Sequence, residues 1–426
     1  MWQKISLAKI VEYGVYLLIF LLPWQTRLIY KVASLNGGYW EYGSNSFYAS
    51  EAFLIVLVIL FLVWRKKSGG QKVQRKDVVL PLVFLVWSLV SVVWSLDRNL
   101  AIYYWSFFAQ GFLLYFLISY GPVDRTKAVV SFVMAAGVQA ALAWYQFLTQ
   151  SIFASKWLGM ASQSANDLGV FVIESGGQRW LRAYGSLPHP NILAAFLVVA
   201  LIFLFFLSLN VNSSRQKLFI VSGLSLILPA LIFTFSRAAW LSLIVCFLSF
   251  ITLLIIKRIK NKFTAEILVL SVILVIIIGA IFWSPIKPRL VGGERLETLS
   301  NQQRVGLYKQ SDILLQKYAY YGVGPGNQTL AVYKEIDNKQ PSWFYQPVHN
   351  IYVLVLIEIG VVGVAIYTVL IISFLFFSQG DLSGKLAFLS LLIVGLFDHF
   401  LWSLYFGIIL WWLVASLSKK NDYVRN

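Results

Sequence analysis

Twelve apolar stretches of near membrane-spanning length follow one another along the 426-residue chain, near residues 5–24, 47–64, 78–96, 100–120, 128–149, 190–209, 218–235, 238–256, 265–284, 348–377, 386–400 and 402–418. Asp398 and His399 interrupt what would otherwise be one continuous apolar stretch at the end. Two long polar segments, 150–189 and 285–347, separate the other blocks. The pattern predicts an all-α polytopic membrane protein: one integral domain over 1–426, about twelve transmembrane helices, and two long loops on the same side. Within the second loop, Arg304–Lys317 places Val305, Leu307, Tyr308, Ile313, Leu314 and Leu315 at helical spacing. One or two amphipathic helices are expected there, lying over the membrane-embedded part. The first stretch lacks a small-residue cleavage site before Pro23 and Trp24, so it reads as a retained span and not a signal peptide.

Composition agrees: 59% of residues are hydrophobic and 12% charged, with a mean hydropathy of +0.74, against about half and a quarter in soluble domains. The net charge of +17 does not imply nucleic acid, because in this class basic residues set topology and meet anionic lipid head groups. With the amino terminus inside, twenty Lys and Arg fall on the inner face; the short outer connections hold only Arg27, Lys31, Arg98 and Arg237. That asymmetry predicts both termini in the cytoplasm and both long loops outside, since long loops translocate largely regardless of charge. Cys246, the only cysteine, falls inside an apolar run and reads as a packed thiol.

This threading puts Arg182, Arg237, Arg304 and His349 on one side of the bilayer. Arg237 opens the eighth span within apolar sequence, where a cation is costly unless it meets an anion or snorkels outward. Arg182 precedes Ala183–Asn191, a tight turn into a helix with Pro190 suited to its first turn. Arg304 lies on the expected loop helix, where a solvated face is the alternative reading. Three forked, always-charged guanidiniums converging from separate segments would suit a diphosphate. Of three histidines, His349 opens the tenth span and can act as a general base near neutral pH. His189 and His399 read as hydrogen-bonded structural residues. Glu358, about 13 Å deeper than His349 along a helix, also reads as structural. Gly322–Asn327 (GVGPGN) matches a nucleotide-loop pattern loosely but follows no strand, so it reads as a turn or a backbone anion nest. Scattered loop carboxyls show no Asp-x-Asp pair or His/Asp cluster, and no metal is demanded.

At these residues the chain resembles the bacterial O-antigen ligase and O-antigen polymerase family, which includes some protein O-oligosaccharyltransferases. The matching pieces, in order, are Arg182–Ala194 (RAYGSLPHPNILA), Ser236–Arg237, Arg304–Tyr308 (RVGLY), Gly322–Asn327 and His349–Gly360 (HNIYVLVLIEIG). They make 182–360 the family-like catalytic region. Ala238 stands where the family commonly has glycine, and Tyr308 where it often has tryptophan; neither change removes a charge.

The resemblance implies a GT-C-like glycosyltransferase of the bacterial cytoplasmic membrane with no cofactor and no metal. The donor would be an undecaprenyl-diphosphate-linked glycan, and the acceptor a lipid A core, a growing glycan or a protein hydroxyl. Arg182, Arg237 and Arg304 would clamp the diphosphate, His349 would activate the acceptor, and His189, Asn191, Asn350 and Tyr352 would add substrate contacts. A ligase is favoured over a polymerase by the histidine motif. The rival from another class is a transporter or lipid-linked-sugar flippase, which would show related halves and polar sites at the midplane.

Overall fold

The computed structural model describes residues 6–69, 72–377 and 380–419; Lys4, Lys420 and Arg425, which enter the charge count above, lie outside them, as does Ile5. The chain is mostly helical. Its helices are α1 (Leu7–Leu21), α2 (Ala49–Ser68), α3 (Arg75–Val90), α4 (Arg98–Tyr120), α5 (Arg125–Thr149), α6 (Pro190–Leu207), α7 (Ser214–Phe233), α8 (Arg237–Ile256), α9 (Lys262–Ile281), α10 (Trp283–Val291), α11 (Arg295–Tyr318), α12 (Gln328–Glu335), α13 (Ile351–Ile372), α14 (Leu382–Gly395), α15 (Phe400–Ser403) and α16 (Tyr405–Leu417). Each of the twelve apolar stretches is helical. Among the described residues, however, eight helical segments are long and apolar enough to cross a membrane: those over 75–94, 98–120, 125–149, 190–210, 214–233, 237–256, 262–281 and 351–377. The difference has simple causes. α1, α14 and α16 have only 15, 14 and 13 residues, and α2 ends in Arg65, Lys66 and Lys67.

α6 is the centre of the bundle. Its residues 192–205 are all buried, and it packs against α5, α7, α8 and α14. A helix that is apolar all round is stable only when enclosed on every side. α8 and α9 differ: Ile244, Leu248, Val269 and Ile276 point outward, as lipid-facing side chains must. Cys246 is buried, and its Sγ lies 3.5 Å from the Leu386 carbonyl, so the packed-thiol reading holds.

The polar segments contain short strands that an all-α expectation does not include. β1 (Arg27–Lys31) pairs with the later strand Asn45–Tyr48 (β4), and β2 (Ser34–Leu35) with β3 (Gly38–Tyr39), all antiparallel. In the first long loop β5 (Ser151–Ile152) pairs with β6 (Gln163–Ser164), and β7 (Val172–Ser175) with β8 (Gln178–Leu181). At two to five residues each, they are too brief to show alternation against apolar surroundings. Gly176 and Gly177, both at positive φ, supply the tight turn between β7 and β8.

The second long loop is tied to α13. The expected loop helix extends over the whole of α11, and after it the chain runs through Gly322–Asn327 alongside a break in α13 at Gly360 (φ 72°). Val323 and Gly324 donate backbone hydrogen bonds to the carbonyls of Ile357 and Glu358 (2.9 and 2.8 Å), and Val361 donates to Ala319 (2.9 Å). The Glu358 carboxyl accepts from the backbone of Gly326 (2.8 Å) and from Trp402 Nε1 (2.7 Å). The acceptor in the glycine-rich turn is therefore the chain's own Glu358 carboxyl group, which acts as a structural clasp. A side chain at Gly360 would meet the Tyr320 carbonyl in a backbone conformation that costs about 1–3 kcal/mol for other residues. Gly360→Ala should lower the thermal unfolding midpoint of the detergent-solubilised protein by several degrees; an unchanged midpoint would show that the clasp is unimportant for stability.

Candidate functional site

At the end of the bundle that carries both long loops, a cavity of about 1160 Å³ opens between the helix ends and the loop layer. α6, α8 and α13 all begin at this end, so the positive poles of three helices approach it. Local sequence explains two of these starts. His189 caps α6, its Nδ1 accepting from the Asn191 backbone N–H (3.0 Å), with Pro190 at the first position. α7 ends at Thr234-Phe235-Ser236, where Phe235 is buried in a left-handed conformation (φ 50°), and the sharp turn makes Arg237 the first residue of α8. A cation at a helix amino terminus is locally unfavourable and raises the potential available to an anion.

Seven arginines and four carboxyl side chains line the cavity, so it carries surplus positive charge. Arg182 is only 6% exposed and no carboxylate pairs with it among the described residues. Its Nε donates to the Thr234 carbonyl (2.8 Å) and its Nη2 to Asn191 Oδ1 (2.6 Å), both neutral acceptors. Burial and the nearby Arg289 charge pull its pKa well below the ordinary guanidinium value. A buried cation in that state is stabilised by any anion that reaches it. Arg304 makes no hydrogen bond or ion pair among the described residues. It shares the cavity-facing side of α11 with Glu297 and Ser300. Arg237 and Arg289 are partly neutralised. Glu297 pairs with both, at 3.3 Å from Arg237 and closer to Arg289, and Arg289 Nε donates to the Phe235 carbonyl (2.9 Å).

Next to the arginines lies an imidazole–carboxylate cluster. Asn191 Nδ2 donates to Asp398 Oδ2 (2.8 Å), so one asparagine links Arg182 to Asp398. The His399 backbone N–H donates to Asp398 Oδ1 (2.8 Å); both carboxylate oxygens act as acceptors. His349 stacks on His399 with ring centroids 5.0 Å apart, and His399 Nδ1 shares a hydrogen with Ser403 Oγ (2.6 Å). His349 Nδ1 is buried without a partner. Burial pushes the His349 pKa below its ordinary value; Asp398 opposes that shift and Arg304 adds to it. The ring is therefore neutral near pH 7 and able to accept a proton. His189 is pushed down to about 3, by burial first and by Arg182 second, which fits a capping role and not proton transfer.

Arg182, His189, Asn191, Arg237, Arg304 and His349, up to 167 positions apart (349 − 182), all line this one cavity. Asn350 and Tyr352 are not among its lining residues. Asn350 Oδ1 caps α13 by accepting from Tyr352 and Val353, and its amide donates to Tyr308 Oη (3.3 Å). The Tyr352 hydroxyl donates to the Leu392 carbonyl (2.9 Å), joining α13 to α14. Sequence reasoning missed Arg289, Glu297, Asp398 and the Arg27–Glu41 pair in the cavity wall. It also found no His/Asp cluster, because His349 joins the adjacent Asp398 and His399 only through the fold. Ligand atoms of His349, Asp398 and His399 lie within 4.8 Å of one another, a set that could hold a metal ion. Asp398 alone carried a signal, an acidic residue inside an apolar stretch.

No curated protein matches the chain. A family model described as O-antigen ligase matches residues 222–368, which span the end of α7, all of α8 and α11, and most of α13. The match holds Arg237, Arg289, Glu297, Arg304 and His349, while Arg182 and Asp398 lie outside it and reach the same cavity through the fold. The chain is thus a multi-pass membrane protein whose residues 222–368 match the O-antigen ligase family model.

Proposed function

We propose that the protein moves a preassembled glycan from undecaprenyl diphosphate to an acceptor hydroxyl at the outer face of the bacterial cytoplasmic membrane. In this reading α1, α2, α14 and the α15–α16 pair complete a twelve-span, GT-C-like bundle with both termini in the cytoplasm. The observation that carries it is Arg182: a buried guanidinium that no carboxylate pairs with directly among the described residues, in a cavity that also holds Arg304, likewise unpaired among them, and the His349 imidazole. The donor diphosphate supplies the missing charge, held by Arg182, Arg237 and Arg304, with Arg289 as a fourth cation.

His349 accepts the proton of the acceptor hydroxyl as that oxygen bonds to the anomeric carbon. The bond from that carbon to the phosphate oxygen breaks, and undecaprenyl diphosphate leaves with the electron pair. Attack opposite the leaving group inverts the anomeric centre. The arginines stabilise the charge that grows on the leaving oxygen, so no metal is required for that task. Asp398, oriented by Asn191 and the His399 backbone, favours the imidazolium that forms on His349.

The test is transfer of labelled glycan from undecaprenyl diphosphate to lipooligosaccharide by the purified protein in vesicles, with and without a strong chelator. Transfer is expected at equal rates in both. No transfer, or passage of the lipid across the vesicle without transfer, would overturn the reading in favour of a flippase. Loss on chelation with recovery on adding Zn²⁺ would assign a metal to His349, Asp398 and His399 and end the metal-independent mechanism.

A further inference from the structure

Arg182, Arg237, Arg289 and Arg304 line the cavity together with the imidazole cluster. Another part of the wall has a different origin in the chain. It is built from 25–48 and 338–346, which contribute Arg27, Glu41, Tyr42, Trp343 and Gln346. Asn36, in the β2–β3 turn, donates through Nδ2 to the carbonyls of Asn338 and Gln340 (2.7 Å each) and accepts from the Tyr333 hydroxyl (3.2 Å). Gly38 lies against Ser342 so closely that a side chain would collide with it. These contacts make one fixed surface from residues about 300 positions apart.

Two features of that surface are unexplained by stability. Trp343 lines the cavity yet is 66% exposed. A tryptophan that anchors a protein at the bilayer interface faces the lipid perimeter, not a polar cavity. In the same cavity, Arg27 and Glu41 form a two-pronged pair, Nη1 to Oε1 at 2.5 Å and Nη2 to Oε2 at 3.0 Å. Tyr39 donates to the same carboxylate (2.8 Å), and the pair also lines the cavity. The neighbouring Tyr42 reaches His399, its hydroxyl 3.5 Å from Nε2, while Trp343 lies six residues before His349. Both features therefore line the same cavity as the imidazole cluster.

A pyranose ring has an apolar C–H face and an equator of hydroxyls. An exposed indole matches the first, and a fixed carboxylate–guanidinium pair that can both accept and donate matches the second. We propose that Trp343 and the Arg27–Glu41 pair form a saccharide subsite that binds the acceptor sugar with its reacting hydroxyl towards His349. This rests on the glycan-transfer reading and deepens it, making the acceptor a carbohydrate and not a protein hydroxyl.

The experiment is steady-state transfer in vesicles with lipooligosaccharide as acceptor, and separately with a serine-rich peptide, for wild type, Trp343→Ala, Trp343→Phe and Glu41→Gln. Trp343→Ala should raise the KM for lipooligosaccharide by about tenfold or more, leave the KM for donor unchanged, and be largely rescued by Trp343→Phe. Glu41→Gln should also raise the acceptor KM. Unchanged donor KM shows that each variant is folded. A wild-type acceptor KM in Trp343→Ala, or transfer to the peptide alone, overturns the subsite. If wild type transfers to neither acceptor, the failure belongs to the glycan-transfer reading itself.

Discussion

Replacing Arg182 by alanine should reduce glycan transfer by about 10²- to 10³-fold, the usual effect of removing one preorganised donor from a developing negative charge. Arg182 lines the cavity and spends Nε and Nη2 on Thr234 and Asn191, while Nη1 has no hydrogen bond among the described residues. The same residue thus fixes the α7–α8 turn, holds the asparagine that positions Asp398, and offers a charged donor to a ligand. Arg182→Lys should rescue little, because an ammonium cannot make three divergent bonds at once. Arg237→Lys should fail for a related reason, since Arg237 spans both Glu297 and Asn301. Transfer at the wild-type rate in Arg182→Ala, measured with saturating acceptor, would remove diphosphate clamping from the account.

His349→Ala should slow transfer by about 10²- to 10⁴-fold, the contribution typical of a general base. The pH profile separates a base from a residue that only packs. A protonated imidazole cannot accept the acceptor's proton, so activity falls as pH drops through the His349 pKa. Burial holds that pKa below its ordinary value of 6.5. Wild-type transfer should therefore be flat at neutral pH and decline only on the acid side of about 6.5. The residual activity of His349→Ala should lose that acid limb. A limb centred above pH 7, or one that persists in the variant, would place the essential base elsewhere.

How much of this could be read in advance depended on distance along the chain. The helices announce themselves, because a span must be both apolar and long. The cap at His189 and Pro190 is local chemistry and was legible as such. Arg182, Arg237, Arg304 and His349 stood out because each is a polar group at the edge of an apolar run, where charge is costly. Arg289 and Glu297 gave no comparable signal, since charged residues are ordinary in a long polar loop. Asp398 did give one, but it was read as a break between spans. The short strands pair locally but are too brief to show alternation, and the joining of 25–48 to 338–346 depends on contacts about 300 residues apart, which no local pattern encodes. Glu358 lies between these cases: a structural carboxyl was expected, and its partners, Gly326 and Trp402, became visible only in three dimensions.

The account rests on an anion completing the charge around Arg182, and binding of undecaprenyl diphosphate to the purified protein tests this most directly. Titration of wild type and Arg182→Ala in detergent should show saturable binding by wild type, weakened at least about tenfold in the variant. Equal affinity in the two proteins would mean that the diphosphate is held elsewhere and would contradict the account.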